Sequence, residues 1–116
     1  MHSATLYHNP NCSKSRQTLE ILEQRGVEVT LIHYLQTPVD AAGLKELLAQ
    51  MQIPVRTLLR TNNDTYLALK LDDQSLSEQR LIEQIVAHPE LMQRPIVVTP
   101  KGTRICRPPE KVLEIL

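Results

Sequence analysis

Apolar and polar positions alternate through Val27, Glu28, Val29, Thr30 and Leu31, a period of two that predicts a strand ending near His33-Tyr34. Upstream, Ala4 to Tyr7 reads as a first strand. Between them, Ser13 to Arg25 carries Leu19, Ile21 and Leu22 at helical spacing and is closed by Gly26, which suits the left-handed position after a helix. Strand, helix and strand in roughly 30 residues make a βαβ unit with parallel strands and a right-handed crossover.

The pattern then changes. Thr37-Pro38-Val39-Asp40 breaks the chain, with Thr37 or Asp40 as a cap, and Leu44, Leu47, Leu48 and Met51 fall on one helical face. Pro54 stops that helix and starts a short one from Val55 to about Arg60. Thr61-Asn62-Asn63-Asp64 is a turn, Tyr66 to Leu71 a further short helix, and Ser77 caps a helix carrying Leu81, Ile82, Ile85 and Val86. Pro95-Ile96-Val97-Val98 suits a buried strand. Pro100-Lys101-Gly102 turns it into a return strand, Thr103 to Cys106. Pro108-Pro109 opens a last helix with Val112, Leu113 and Leu116 on one face.

The order is β-α-β, a helical insert over about 40–90, then β-β-α. It predicts an α/β protein of thioredoxin-like fold, a four-stranded mixed sheet with flanking helices, in a single domain spanning 1–116. In that fold a cysteine after the first strand faces a proline that opens the third. Arg94-Pro95 stands at that place, and by this analogy Pro95 is expected in the cis form.

Composition narrows the partners. Lys+Arg and Asp+Glu balance at 13 each, so no global field draws the chain to nucleic acid or to an anionic membrane. No apolar run is long enough to span a bilayer, and no secretory signal is visible at the N-terminus. The expectation is a cytoplasmic protein with two reduced cysteines, Cys12 and Cys106. The core must be made of Leu, Ile and Val, because Trp and Phe are absent.

Cys12 carries the chemistry. It stands where the first strand hands over to a helix, after the Asn9-Pro10-Asn11 turn, with Asn11 as the expected cap. Unpaired N–H groups at a helix start favour anions and lower a thiol's pKa, so Cys12 reads as a nucleophile rather than a small core residue. Its motif is Cys12-Ser13-Lys14-Ser15. Ser15 replaces the second cysteine of a Cys-x-x-Cys pair, so an adduct must be resolved by an outside thiol or by Cys106, which itself reads as strand filler. His8 is either a protonated neighbour of the thiol or a surface histidine at a strand end. Ser15 either donates to the sulfur or satisfies the helix backbone. A phosphatase-type Cys-x5-Arg loop is excluded because position 18 is Thr, and the cysteines and histidines lack metal-ligand spacing. Arg60, Arg94 and Arg107 each stand at an element boundary. They are either solvated or converge on a tetrahedral oxyanion held by guanidinium forks.

Four stretches together resemble the glutaredoxin-linked arsenate reductase (ArsC) family: Tyr7 to Arg16, Val55 to Arg60, Gln93 to Pro100, and Gly102 to Glu110. The resemblance implies that Cys12 is the nucleophile, that His8 and Ser15 tune its thiol, and that Arg60, Arg94 and Arg107 bind the oxyanion. It implies no bound cofactor or metal, glutathione as reducing co-substrate, and glutaredoxin as partner. The implied reaction is a relay in which the thiolate adds to arsenate, glutathione reduces the arsenic and leaves a mixed disulfide on Cys12, and glutaredoxin resolves it. Short members of the family also suggest a glutathione-dependent thiol oxidoreductase with another substrate. The Spx-type branch, which binds RNA polymerase, keeps a Cys-x-x-Cys switch that Ser15 breaks here. The chain is also shorter than plasmid-type members, and its Ser13-Lys14 departs from the smaller or uncharged residues some members carry.

Overall fold

The computed structural model describes residues 3–116. Four strands, β1 (Ser3–Tyr7), β2 (Glu28–Ile32), β3 (Ile96–Thr99) and β4 (Gly102–Ile105), form one sheet in the order β2-β1-β3-β4. β1 and β2 run parallel, with Tyr7 opposite Ile32, while β1–β3 and β3–β4 are antiparallel. The mixed sheet with its helices is the thioredoxin-like fold. Strand position explains the sequence pattern. β3 is internal and apolar, with Ile96 and Val97 fully buried, whereas β2 is an edge whose Leu31 remains exposed.

Helix α1 (Ser13–Gln24) is the crossover from β1 to β2. It ends in a Schellman-type closure: the N–H of Val27 donates to the Leu22 carbonyl and that of Gly26 to the Glu23 carbonyl, each at 3.0 Å, with Gly26 at φ +69°. One face of α1 packs against β2 and against the C-terminal turn Pro109–Ile115. The core on that side joins Ala4, Leu6 and Val97 of the sheet to Leu22, Val27, Cys106, Val112 and Ile115.

The last segment departs from expectation. Residues Pro109–Ile115 form a 3-10 helix, not an α-helix, and bury Pro109, Val112 and Ile115 while Leu113 is exposed. Three residues per turn place i, i+3 and i+6 on one face, which matches these buried positions and not an α-helical stripe.

The chain divides into two compact units, 3–37 with Arg94–Leu116, and Pro38–Gln93. The second is helical. It holds α2 (Ala41–Met51), α3 (Val55–Leu58), α4 (Asp64–Ala68), α5 (Glu78–Ala87) and a 3-10 turn, Pro89–Leu91. Its helix starts are chemically marked: Asp40 accepts from the Gly43 N–H at 2.8 Å, Asn63 from Thr65, and Ser77 from Arg80. An antiparallel bridge between Leu59 and Met92 ties the end of α3 to the chain after α5. Arg56 donates to the carbonyls of Leu71 at 2.8 Å and Asp73 at 2.6 Å, pinning an otherwise irregular loop.

Candidate active site

Cys12 is the residue from which α1 starts, in extended backbone conformation (φ −98°, ψ 121°). The turn before it is shaped by Asn9 rather than by the expected cap, Asn11. The Asn9 side-chain oxygen accepts from the N–H of Asn11 and its carbonyl accepts from the N–H of Cys12, both at 3.0 Å. These bonds leave Cys12, not Asn11, in the capping position. The first turn of α1 holds no acidic side chain to occupy its N–H groups.

Cys12 is buried, 8% exposed. Burial pushes its pKa up, but the N–H of Ser15, the charge of Arg94, the N–H of Lys14 and a hydrogen bond from the Arg94 guanidinium outweigh that, leaving the thiol below its ordinary 9.0. The sulfur faces the helix N–H groups without closing a tight capping hydrogen bond. An incoming group can therefore still share them.

His8 and Ser15 are both buried, and His8 Nδ1 lies 2.6 Å from Ser15 Oγ. That oxygen also accepts from the Asn9 N–H at 3.1 Å. The hydroxyl of Ser15 is thus turned toward His8 and the loop, while its backbone N–H serves the sulfur. His8 is neither at the surface nor biased toward a proton. Burial, then the neighbouring His33, then Arg16 hold its pKa below 6.5.

Arg94 lies immediately before Pro95, across a cis peptide bond. Its Nε and Nη1 are buried and have no hydrogen-bond partner among the described residues. Desolvated guanidinium nitrogens without an acceptor are costly, and such free charged donors suit a carboxylate or oxyanion. Arg107 sits beside Arg94, its Nη1 donating to the Arg94 carbonyl at 3.3 Å. Cys12, His8, Ser15, Arg94 and Arg107 therefore all belong to the sheet-bearing unit.

A model of the ArsC family matches residues 7–115. The chain belongs to the ArsC family. It is similar to an arsenate reductase of Escherichia coli (strain K12), 52% identical over the whole chain and 82% of that protein. It is equally similar, at 52%, to the uncharacterized protein YfgD of the same organism, over 96% of this chain and 94% of that one. Among solved structures, an arsenate reductase from Vibrio cholerae superposes with a TM-score of 0.96 at 44% identity, over 99% of this chain and 98% of that one.

The other expected residues of this ArsC-family chain fall as follows. Arg60 belongs to the helical unit, just after α3, where it is half-buried and its N–H donates to the Leu91 carbonyl at 2.7 Å. Cys106 is wholly buried in the sheet core, and burial pushes its thiol up to about 12. Its burial and raised pKa make it a poorer nucleophile than Cys12. No cluster of three or more metal-ligating side chains occurs among the described residues.

One contributor, His33, escaped the sequence reading; the helix-start N–H groups were expected beside Cys12 and are those of Lys14 and Ser15. His33 left a readable signal, because parallel β1 and β2 end at the same edge and bring the residues after Tyr7 and Ile32 together.

Proposed function

We propose that the protein reduces arsenate to arsenite with glutathione and glutaredoxin, using Cys12 as nucleophile. The observation that carries the reading is a thiol biased toward thiolate beside a guanidinium whose buried Nε and Nη1 have no acceptor. The names of the similar arsenate reductases support the choice of oxyanion.

In the proposed reaction the Cys12 thiolate attacks arsenic(V). An S–As bond forms and one arsenate oxygen leaves as water after protonation. Arg94 and Arg107 neutralise the remaining oxygens, a role the family resemblance also assigns to Arg60. A glutathione thiolate then attacks Cys12 Sγ. The S–S bond forms as the S–As bond breaks, and its electron pair stays on arsenic, which leaves as arsenite. Two thiols are oxidised to one mixed disulfide while arsenic takes up two electrons. Glutaredoxin attacks that disulfide and restores Cys12.

Ser15 in place of a second cysteine fits this dependence on outside thiols. His8 and Ser15 tune the site by fixing the first turn of α1 under the sulfur. In this reading the span 1–116 is one functional domain with a helical insert, working in a reducing cytoplasm without bound cofactor or metal. Among the described residues, no helix is long and apolar enough to cross a membrane.

The test is NADPH oxidation coupled through glutathione reductase, glutaredoxin and glutathione. Arsenate-dependent turnover that vanishes in Cys12→Ser supports the reading. Turnover of a disulfide substrate without any response to arsenate replaces it with a thiol oxidoreductase. A folded chain with neither activity points to a non-enzymatic role.

A further inference from the structure

The rings of His8 and His33 meet edge to face, with centroids 5.8 Å apart and planes at 67°. Sheet register creates the pair. β1 and β2 run parallel with Tyr7 opposite Ile32, and the His8 N–H continues the ladder by donating to the Ile32 carbonyl at 2.8 Å. His8 is buried and its Nδ1 is taken up by Ser15 Oγ, whereas His33 is exposed to solvent. The two rings form a short path from water to the first turn of α1, where the Ser15 N–H faces the Cys12 sulfur.

We propose that His33 is a positioning residue for the Cys12 site: its solvent-facing ring holds His8 as the neutral, oriented partner of Ser15. The inference rests on the reading of Cys12 as the working thiol. An imidazole edge against the neighbouring ring face is favourable for one cation, whereas two cations at this separation repel. The charged groups that bear on His8 are His33, after β2, and Arg16, on α1, whose Nη1 is anchored to the Pro10 carbonyl at 2.8 Å. Arg16 is tied to the backbone of the loop, which leaves His33 as the solvent-exposed member of the pair.

Neutrality matters because of Ser15. With a neutral His8, one of Oγ and Nδ1 donates and the other accepts. A cationic His8 can only donate, which makes Ser15 Oγ an acceptor from both His8 and the Asn9 N–H and drives its own proton outward. The turn that presents its N–H groups to the sulfur would then rearrange.

The test follows the His8 imidazole by NMR between about pH 5 and pH 8 in the full chain, in His33→Phe and in His33→Lys. Phe keeps a ring at this position and cannot carry a charge; Lys removes the ring and carries one. The expected result is a His8 midpoint that moves up in His33→Phe and down in His33→Lys, with far-UV circular dichroism unchanged. The pH profile of Cys12 alkylation by iodoacetamide should shift in His33→Phe as well. An unmoved His8 midpoint in both variants, or a shift of the same sign in both, overturns the proposal, because loss of packing alone would not reverse sign. Neither readout uses arsenate, so failure of this inference is separable from failure of the proposed reaction.

Discussion

Replacing Ser15 with Ala isolates the hydroxyl from the backbone N–H that faces the thiol. The hydroxyl oxygen is fully buried, 2.6 Å from His8 Nδ1 and 3.1 Å from the Asn9 nitrogen. Ala keeps the helix and the Ser15 N–H but leaves both partners unsatisfied. His8 is 5% exposed, so water cannot readily replace the serine there, while the half-buried Asn9 N–H can be partly rehydrated. Stranding one buried polar group costs about 1–3 kcal/mol, and that is the expected loss of unfolding free energy. Ser13→Ala, at an exposed position of the same turn, should stay within about 0.5 kcal/mol of the native chain. Urea unfolding followed by circular dichroism, with equal slopes for both variants, measures the difference. The same pair predicts a pH signature. Because native His8 titrates below 6.5, the unfolded chain binds more protons in the window just beneath that value. Stability should therefore be complete above pH 6.5 and fall as the solution is acidified through the window. A Ser15→Ala loss no larger than that of Ser13→Ala would refute the reasoning.

Further outcomes follow from the same geometry. In the native chain one thiol, Cys12, should react with iodoacetamide with a midpoint below pH 9.0, while Cys106 reacts only after denaturation; two fast native thiols would contradict the burial of Cys106. Arg94→Met should lower arsenate kcat/KM by about 1.5–3 kcal/mol, the value of a hydrogen bond to a charged group, and should raise the pH midpoint of Cys12 alkylation. Cys106→Ala should keep arsenate turnover while costing about 1–2 kcal/mol of stability for the space left in the core; loss of turnover in a folded variant would make Cys106 part of the relay.

Much of the fold was legible because local pattern and topology agree. The alternation in β2, the Gly26 closure of α1 and the capping residues Asp40 and Ser77 all act within a few residues of where they are written. The misreadings came from ambiguous spacing. Pro109, Val112 and Ile115 recur every third residue, which a 3-10 turn uses and an α-helix tolerates. Asn11 and Asn9 are equally good turn residues, and the choice between them depends on which carbonyl meets the Cys12 N–H. At the site, the helix-start position of Cys12 was readable from the strand-to-helix handover. The burial of His8 was not, because polarity alone points to the surface and its partners Ile32, His33 and Ser15 come from elsewhere in the chain. Nor could the unpartnered nitrogens of Arg94 be read, since they depend on what the folded chain fails to bring within reach.

The central claim is that arsenate reduction passes through Cys12 and an outside thiol. The most direct measurement mixes the reduced chain with arsenate and glutathione, without glutaredoxin, and follows intact mass and arsenic speciation together. One arsenite released for each glutathione bound to Cys12, with no adduct when arsenate is omitted, is the predicted result. Arsenite release without a Cys12–glutathione disulfide, or the same disulfide at the same rate without arsenate, would contradict it.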